Sequence, residues 1–201
     1  MSITLPRITN HTLFESITVL LGDTINISEN GEIIINEEHA NITHLSSLNS
    51  LQNNLKYTDI VEMLHHLSLQ FGFLTRRMMV PHTVDMDDIY LIKNTYVFIN
   101  EIKLLPIEDD KTYGYLTMPI DFKYLPPELQ DVELTLPMKI HKNTYLYSLG
   151  CLVIEILFGK QESMSKTNYD KLLKTTHYRI LAKCIERCLQ EDPADRLLLV
   201  I

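Results

Sequence analysis

Residues 124–160 read YLPPELQDVELTLPMKIHKNTYLYSLGCLVIEILFGK. The second half of this stretch decides the fold. From 144 to 158 the chain is apolar nearly all round. The spacing therefore predicts a helix at the centre of a core rather than on its surface. Gly159 follows with the backbone freedom a left-handed C-terminal cap needs. The run carries Glu155 and is too short to span a bilayer. Further on, residues 168–189 predict one or two helices. In the second half Ile180, Leu181, Cys184, Ile185, Cys188 and Leu189 fall on one stripe, and Asp192-Pro193 ends it.

Toward the N-terminus the pattern shortens. Residues 17–21 (ITVLL), closed by Gly22, predict a buried strand, and residues 32–36 (EIIIN), after the turn signal Glu29-Asn30-Gly31, predict a second. Residues 46–55 predict a short helix. Residues 58–71 predict a longer one, with Ile60, Met63, Leu64, Leu67 and Phe71 on its buried face and Thr58 as its cap. Residues 88–100 read as two strands about a Lys93-Asn94 turn. Residues 102–124 have no sustained period and read as a long loop. The sum is an α+β chain, mainly helical.

Composition narrows the function. The 201 residues are 45% hydrophobic and 22% charged, enough apolar surface for a packed domain. A net charge of −8 opposes nucleic-acid binding, which needs a basic face. Three Cys are too few for a disulfide framework and, with no apolar leader in MSITLPRITN, imply a cytoplasmic protein. No membrane association is expected. None of the six Gly builds a phosphate-cradling loop. Cys184 and Cys188 share a helical face, but no further ligand lies at metal spacing, so buried thiols are the expectation. His65 and His66 are adjacent and point apart, which does not suit a shared metal.

The order of these elements resembles a protein kinase domain that has lost its beginning. Residues 5–22 (LPRITNHTLFESITVLLG) resemble the end of the kinase C-helix and the lead into the fourth strand. Residues 31–45 (GEIIINEEHANITHL) resemble the fifth strand and hinge. Residues 124–160 resemble the A-P-E motif and the central helix with its S-L-G, and residues 180–196 (ILAKCIERCLQEDPADR) resemble the closing helix with D-P-x-x-R. The resemblance implies a single truncated domain. Residues 1–40 would be the N-lobe remnant of two strands with the hinge, and 41–201 the C-lobe. It further implies an ion pair between Glu128 and Arg196, and structural roles for Gly150 and Tyr145.

The same resemblance implies that the chemistry is gone. Phosphoryl transfer requires held phosphates, neutralised charge and an oriented hydroxyl. The Gly-rich loop, strand-three Lys and C-helix Glu would all precede residue 1. H-R-D-x-x-x-x-N falls on residues 81–88, so the catalytic Asp is Thr83 and the metal-binding Asn is Asp88. D-F-G falls on 100–102, so its Asp is Asn100. The central-helix Asp that ties down the catalytic loop is Tyr145. Asp85, Asp87 and Asp88 leave a residual nucleotide-dependent enzyme as an alternative, but a solvated acidic turn is the plainer reading. The expectation is no enzyme, no cofactor, no metal and no ATP binding.

Among kinase-like proteins the chain resembles the mixed lineage kinase domain-like pseudokinases, on residues 124–150, on HTVDMDDIYLI (82–92) and on NEIKLLPI (100–107). Its shortness and its Asn- and Ile-rich composition are similar to those of the family's poxviral homologues. That implies a decoy, without the family's killing helical bundle, which binds the host receptor-interacting protein kinase and blocks necroptosis. The expected contact segment is residues 130–140, with Gln130, Asp131, Val132, Glu133, Leu134, Leu136, Pro137 and Met138. Thr112, Tyr113 and Thr117 are candidate phosphorylation sites. The alternative is a generic non-catalytic C-lobe scaffold.

Overall fold

The structure, a computed structural model, describes residues 5–22, 25–27, 33–35, 42–50, 55–117, 123–130, 135–159, 174 and 178–198. It is α+β, with more helix than strand. The chain starts with helix α1 (His11–Leu21), then strands β1 (Ile25–Ile27), β2 (Ile33–Ile35) and β3 (Ile42–His44). Helices α2 (Leu45–Ser50) and α3 (Tyr57–Arg76) follow. Next come β4 (Met79–Pro81), β5 (Ile89–Ile92), β6 (Thr95–Phe98) and β7 (Leu104–Pro106). A short α4 (Asp109–Thr112) leads to β8 (Tyr113–Leu116) and β9 (Met138–His141), and the described chain closes with α5 (Thr144–Phe158) and α6 (Arg179–Cys188).

The predicted central helix is α5, with Leu149 and Leu152 fully buried. Gly159 caps it with φ 94, and its N–H donates to the Glu155 carbonyl. Its ψ of 170 is outside the left-handed helical well that was expected. Gly150 lets α5 and α6 touch: a Cβ there would lie 3.0 Å from Cys188 Cβ and 3.1 Å from Leu189 Cδ2. Gly150→Val is therefore expected to cost about 1–3 kcal/mol in urea unfolding. An unchanged midpoint would show that the two helices part freely. On α6 the stripe is Leu181, Ala182, Cys184, Ile185 and Cys188, all buried, whereas Ile180 is 54% exposed and does not belong to it.

The expected strand at 17–21 is helix instead. Extending the window upstream explains this: Leu13, Ile17 and Leu21 recur every fourth residue and are buried, while Val19 faces solvent. Five apolar residues fit either period, and the longer stripe decides. Asn10 Oδ1 accepts the Leu13 N–H to start the helix, and Gly22 (φ 62) ends it. The second expected strand is present as β2, but its antiparallel partner is β1, pairing Ile25 with Ile35.

α3 begins one residue before its expected start and runs on to Arg76. Thr58 is not its cap; Asp59 Oδ2 accepts the Lys56 N–H at 2.8 Å. Gln70 shares the buried face. It donates to Phe98 O and accepts from Phe98 N–H, pinning α3 to β6. β5 and β6 form the predicted hairpin, with Lys93 and Asn94 both at positive φ, and β3 joins it on the β5 side. Residues 102–124, expected to be loop, contribute β7 and β8. β7 pairs with β4, and β8 pairs with β9, so their partners lie tens of residues away in sequence for β4 and β9. Such pairings leave no local period. Leu105, Leu116, Leu129, Met138 and Ile140 form a second, smaller core under these strands.

Candidate functional site

β4 and the β5–β6 hairpin hold the loop at 82–88 against α5. His82, Thr83 and Val84 are buried, and the Val84 N–H donates to Ser148 Oγ at 2.8 Å. Ser148 Oγ in turn donates to the Tyr145 carbonyl. The tie between loop and central helix therefore exists, made by Ser148. Tyr145 gives the loop no carboxylate; its ring packs edge-on against Phe71 at 5.0 Å, and burial pushes its phenol up. The Ser of S-L-G was visible in sequence as a motif letter, but not as the group that holds the loop.

Beyond Val84 the chain makes a 3-10 turn, Met86–Asp88. Asp85 accepts the Asp87 N–H at its start, and Asp88 Oδ2 accepts the Asp85 N–H. Asp88 is 1% exposed. Its Oδ1 accepts from Asn100 Nδ2 at 2.6 Å, so the two positions expected to have lost their metal-binding identity are brought together. Lys103 completes the cluster, with Nζ 2.6 Å from both Asp85 Oδ2 and Asp88 Oδ2. Burial alone would lower the Lys103 pKa, but its bonds to the two carboxylates outweigh that and raise it. Burial pushes Asp88 up, against the downward pull of Lys103. The stable arrangement is an ammonium between two carboxylates.

Asp87 lies outside this cluster, its side chain 80% exposed, near His44. Thr83, the position expected from the resemblance to have lost a catalytic Asp, is 2% exposed and its Oγ1 has no hydrogen-bond partner among the described residues. No group of three His, Cys, Asp or Glu among the described residues is placed to hold a metal ion. Nothing local in the sequence marks Lys103, because its partners lie 15 and 18 residues back.

Glu128 and Arg196 are joined by two hydrogen bonds, Nη1 to Oε1 at 2.7 Å and Nη2 to Oε2 at 2.5 Å. The Arg196 side chain is wholly buried. Its Nε donates to Gln190 O, and the guanidinium lies 5.3 Å from the centre of the Tyr147 ring. Thr144 donates to the same Glu128 carboxylate, at the start of α5. This is a clamp between the 3-10 turn Pro127–Leu129, the central helix and the C-terminal segment.

The expected contact segment is split. Gln130, Leu136 and Pro137 are exposed, Leu136 to 38%. Met138 is 8% exposed and belongs to the second core, because alternation along β9 turns it and Ile140 inward; it is not available to a partner. Asp131, Val132, Glu133 and Leu134 lie outside the described residues. Of the hydroxyl candidates, Tyr113 is half-buried against His141 and beneath Lys139, Thr112 is half-buried, and Thr117 is exposed. His66 Nδ1 accepts the Tyr96 N–H while His65 is exposed, and Cys184 and Cys188 are buried thiols not joined in a disulfide. No helix among the described residues is long and apolar enough to cross a membrane.

No family model matches the chain, and no relative is found among the curated proteins.

Proposed function

We propose that this chain is a non-catalytic protein-kinase-like module: a C-lobe over residues 41–201 with an N-lobe-like segment and hinge in 1–40. The observation that carries this reading is the cluster at 85–103. The positions corresponding to the two metal ligands bond to each other and to Lys103, and the position of the general base is a buried threonine. Losing the base and both metal ligands removes several orders of magnitude in rate, and nothing in the cluster replaces them. The Glu128–Arg196 clamp and the loop tie at Ser148 support the same alignment.

The particular protein this reading points to is a decoy similar to the poxviral homologues of the mixed lineage kinase domain-like pseudokinase. It acts in the host cytoplasm, where it binds the host receptor-interacting protein kinase and keeps it from its own pseudokinase, inhibiting necroptosis. Support for this finer step is the sequence likeness of residues 82–107 and 124–150. A decoy needs only occupancy: free protein at about ten times Kd fills about nine-tenths of the target, and submicromolar affinity corresponds to about −8 kcal/mol. An interface of roughly 800 Å² per partner suffices. The exposed Gln130, Leu136 and Pro137 belong to its edge.

Co-precipitation from necroptosis-competent cells is the test. The expected result is capture of the receptor-interacting kinase and reduced death in expressing cells. No capture, with death undiminished, would sink the decoy. Capture of a different complex would favour the generic C-lobe scaffold. A large thermal shift with magnesium and ATP would favour a nucleotide-dependent enzyme using Asp85, Asp87 or Asp88.

A further inference from the structure

Two carboxylates facing one point supply the hard oxygen ligands that divalent cations favour. Here that point is taken. Lys103 Nζ is 2.6 Å from Asp85 Oδ2 and 2.6 Å from Asp88 Oδ2, and Asn100 is turned so that its amide donates to Asp88. The Lys103 side chain is 16% exposed and that of Asp88 1%, so bulk water screens this ammonium little. The contact also joins two separate stretches: the 82–88 loop, tied to α5 through Val84, and the segment at 100–106 that pairs with β4. Lys103 therefore does two things a bound metal does, neutralising Asp88 and cross-linking the loops.

We infer that Lys103 is a built-in replacement for a divalent cation: its ammonium sits between Asp85 and Asp88, where a cation would otherwise be drawn, and makes the protein's stability independent of metal. The geometry favours this over a mere surface pair. One buried Asp and one part-buried Asp are both bonded to the same ammonium, which occupies the space between them and leaves only a single negative charge to attract a second cation. Kinase capture plays no part in this, so failure of the decoy reading and failure of the ammonium's role are told apart by separate measurements.

The test is the thermal midpoint of the full chain, in chelator and in millimolar magnesium or manganese chloride. Wild type is expected to move by less than about 1 °C between the two. Lys103→Met, in chelator, is expected to melt roughly 6–12 °C lower, since one member of a buried pair is gone. Manganese or magnesium is expected to recover much of that loss. The double variant Lys103→Met with Asp88→Asn, which removes the fully buried carboxylate with its partner and leaves only the part-buried Asp85, is expected to recover most of the loss without metal and to ignore it. Should Lys103→Met fail to fold in chelator, its refolding on addition of manganese is the same readout. A metal-dependent shift in wild type would overturn the inference. So would a Lys103→Met protein as stable as wild type, or one weakened but indifferent to both ions.

Discussion

Arg196→Met is expected to lower stability by about 3–5 kcal/mol, the cost of leaving a buried charge without its partner. The Arg196 side chain is 0% exposed, and Glu128 accepts two of its hydrogen bonds, so removing the guanidinium strands the carboxylate beside Thr144. It also frees the carbonyls of Gln190 and Glu191, which the same side chain satisfies. For a chain of this length the thermal midpoint should fall by roughly 10 °C. Arg196→Lys should fall between, because an ammonium keeps the charge but cannot make the planar two-bond fork. Equilibrium urea unfolding checks both, and a loss under about 1 kcal/mol for the methionine variant would mean that the clamp is ornamental.

The second large effect is acid sensitivity through His82. Burial pushes its imidazole from 6.5 down to about 4, opposed by a weaker upward pull from the Lys103 carbonyl. The neutral ring is thus the folded form. Above pH 6.5 folded and unfolded chains both carry it neutral, and its contribution is fully present. As pH falls from 6.5 toward 4, the unfolded chain takes up a proton that the folded chain refuses, and stability drains away. The span corresponds to at most about 3 kcal/mol. His82→Gln removes the titration, so its stability should fall less between pH 7.5 and pH 4.5 than wild type's. Asp88, raised by burial, works in the opposite direction, but it is common to both proteins and cancels in the comparison. Parallel pH dependences for the two would refute the assignment.

The two effects act on different parts of the molecule. Arg196 fixes the C-terminal segment to the start of the central helix. His82 and Lys103 belong to the loop layer beside it, with the His82 N–H donating to the Lys103 carbonyl. The clamp holds the C-terminal segment on the central helix, and the Lys103 ammonium offsets part of the negative charge in the loop layer.

Periodic burial was legible in the sequence. The central helix, the stripe of α3 and the hairpin at Lys93-Asn94 follow from repeats of 3.6 and 2 that a window of a dozen residues contains. The Glu128–Arg196 pair was legible as well, but only through likeness of motif, since 68 residues separate the partners. Tertiary packing decided the rest. It made helix of residues 17–21 because burial of Leu13, Ile17 and Leu21 on one body outweighed β-propensity. It made strands of 104–106 and 113–116, whose partners are distant. It also turned Met138 into a second core. Above all, it placed Lys103 between two aspartates. A sequence records which charges a chain carries, but Coulomb energy depends on distance and burial, and those are set only when the loops that carry the charges are folded against each other.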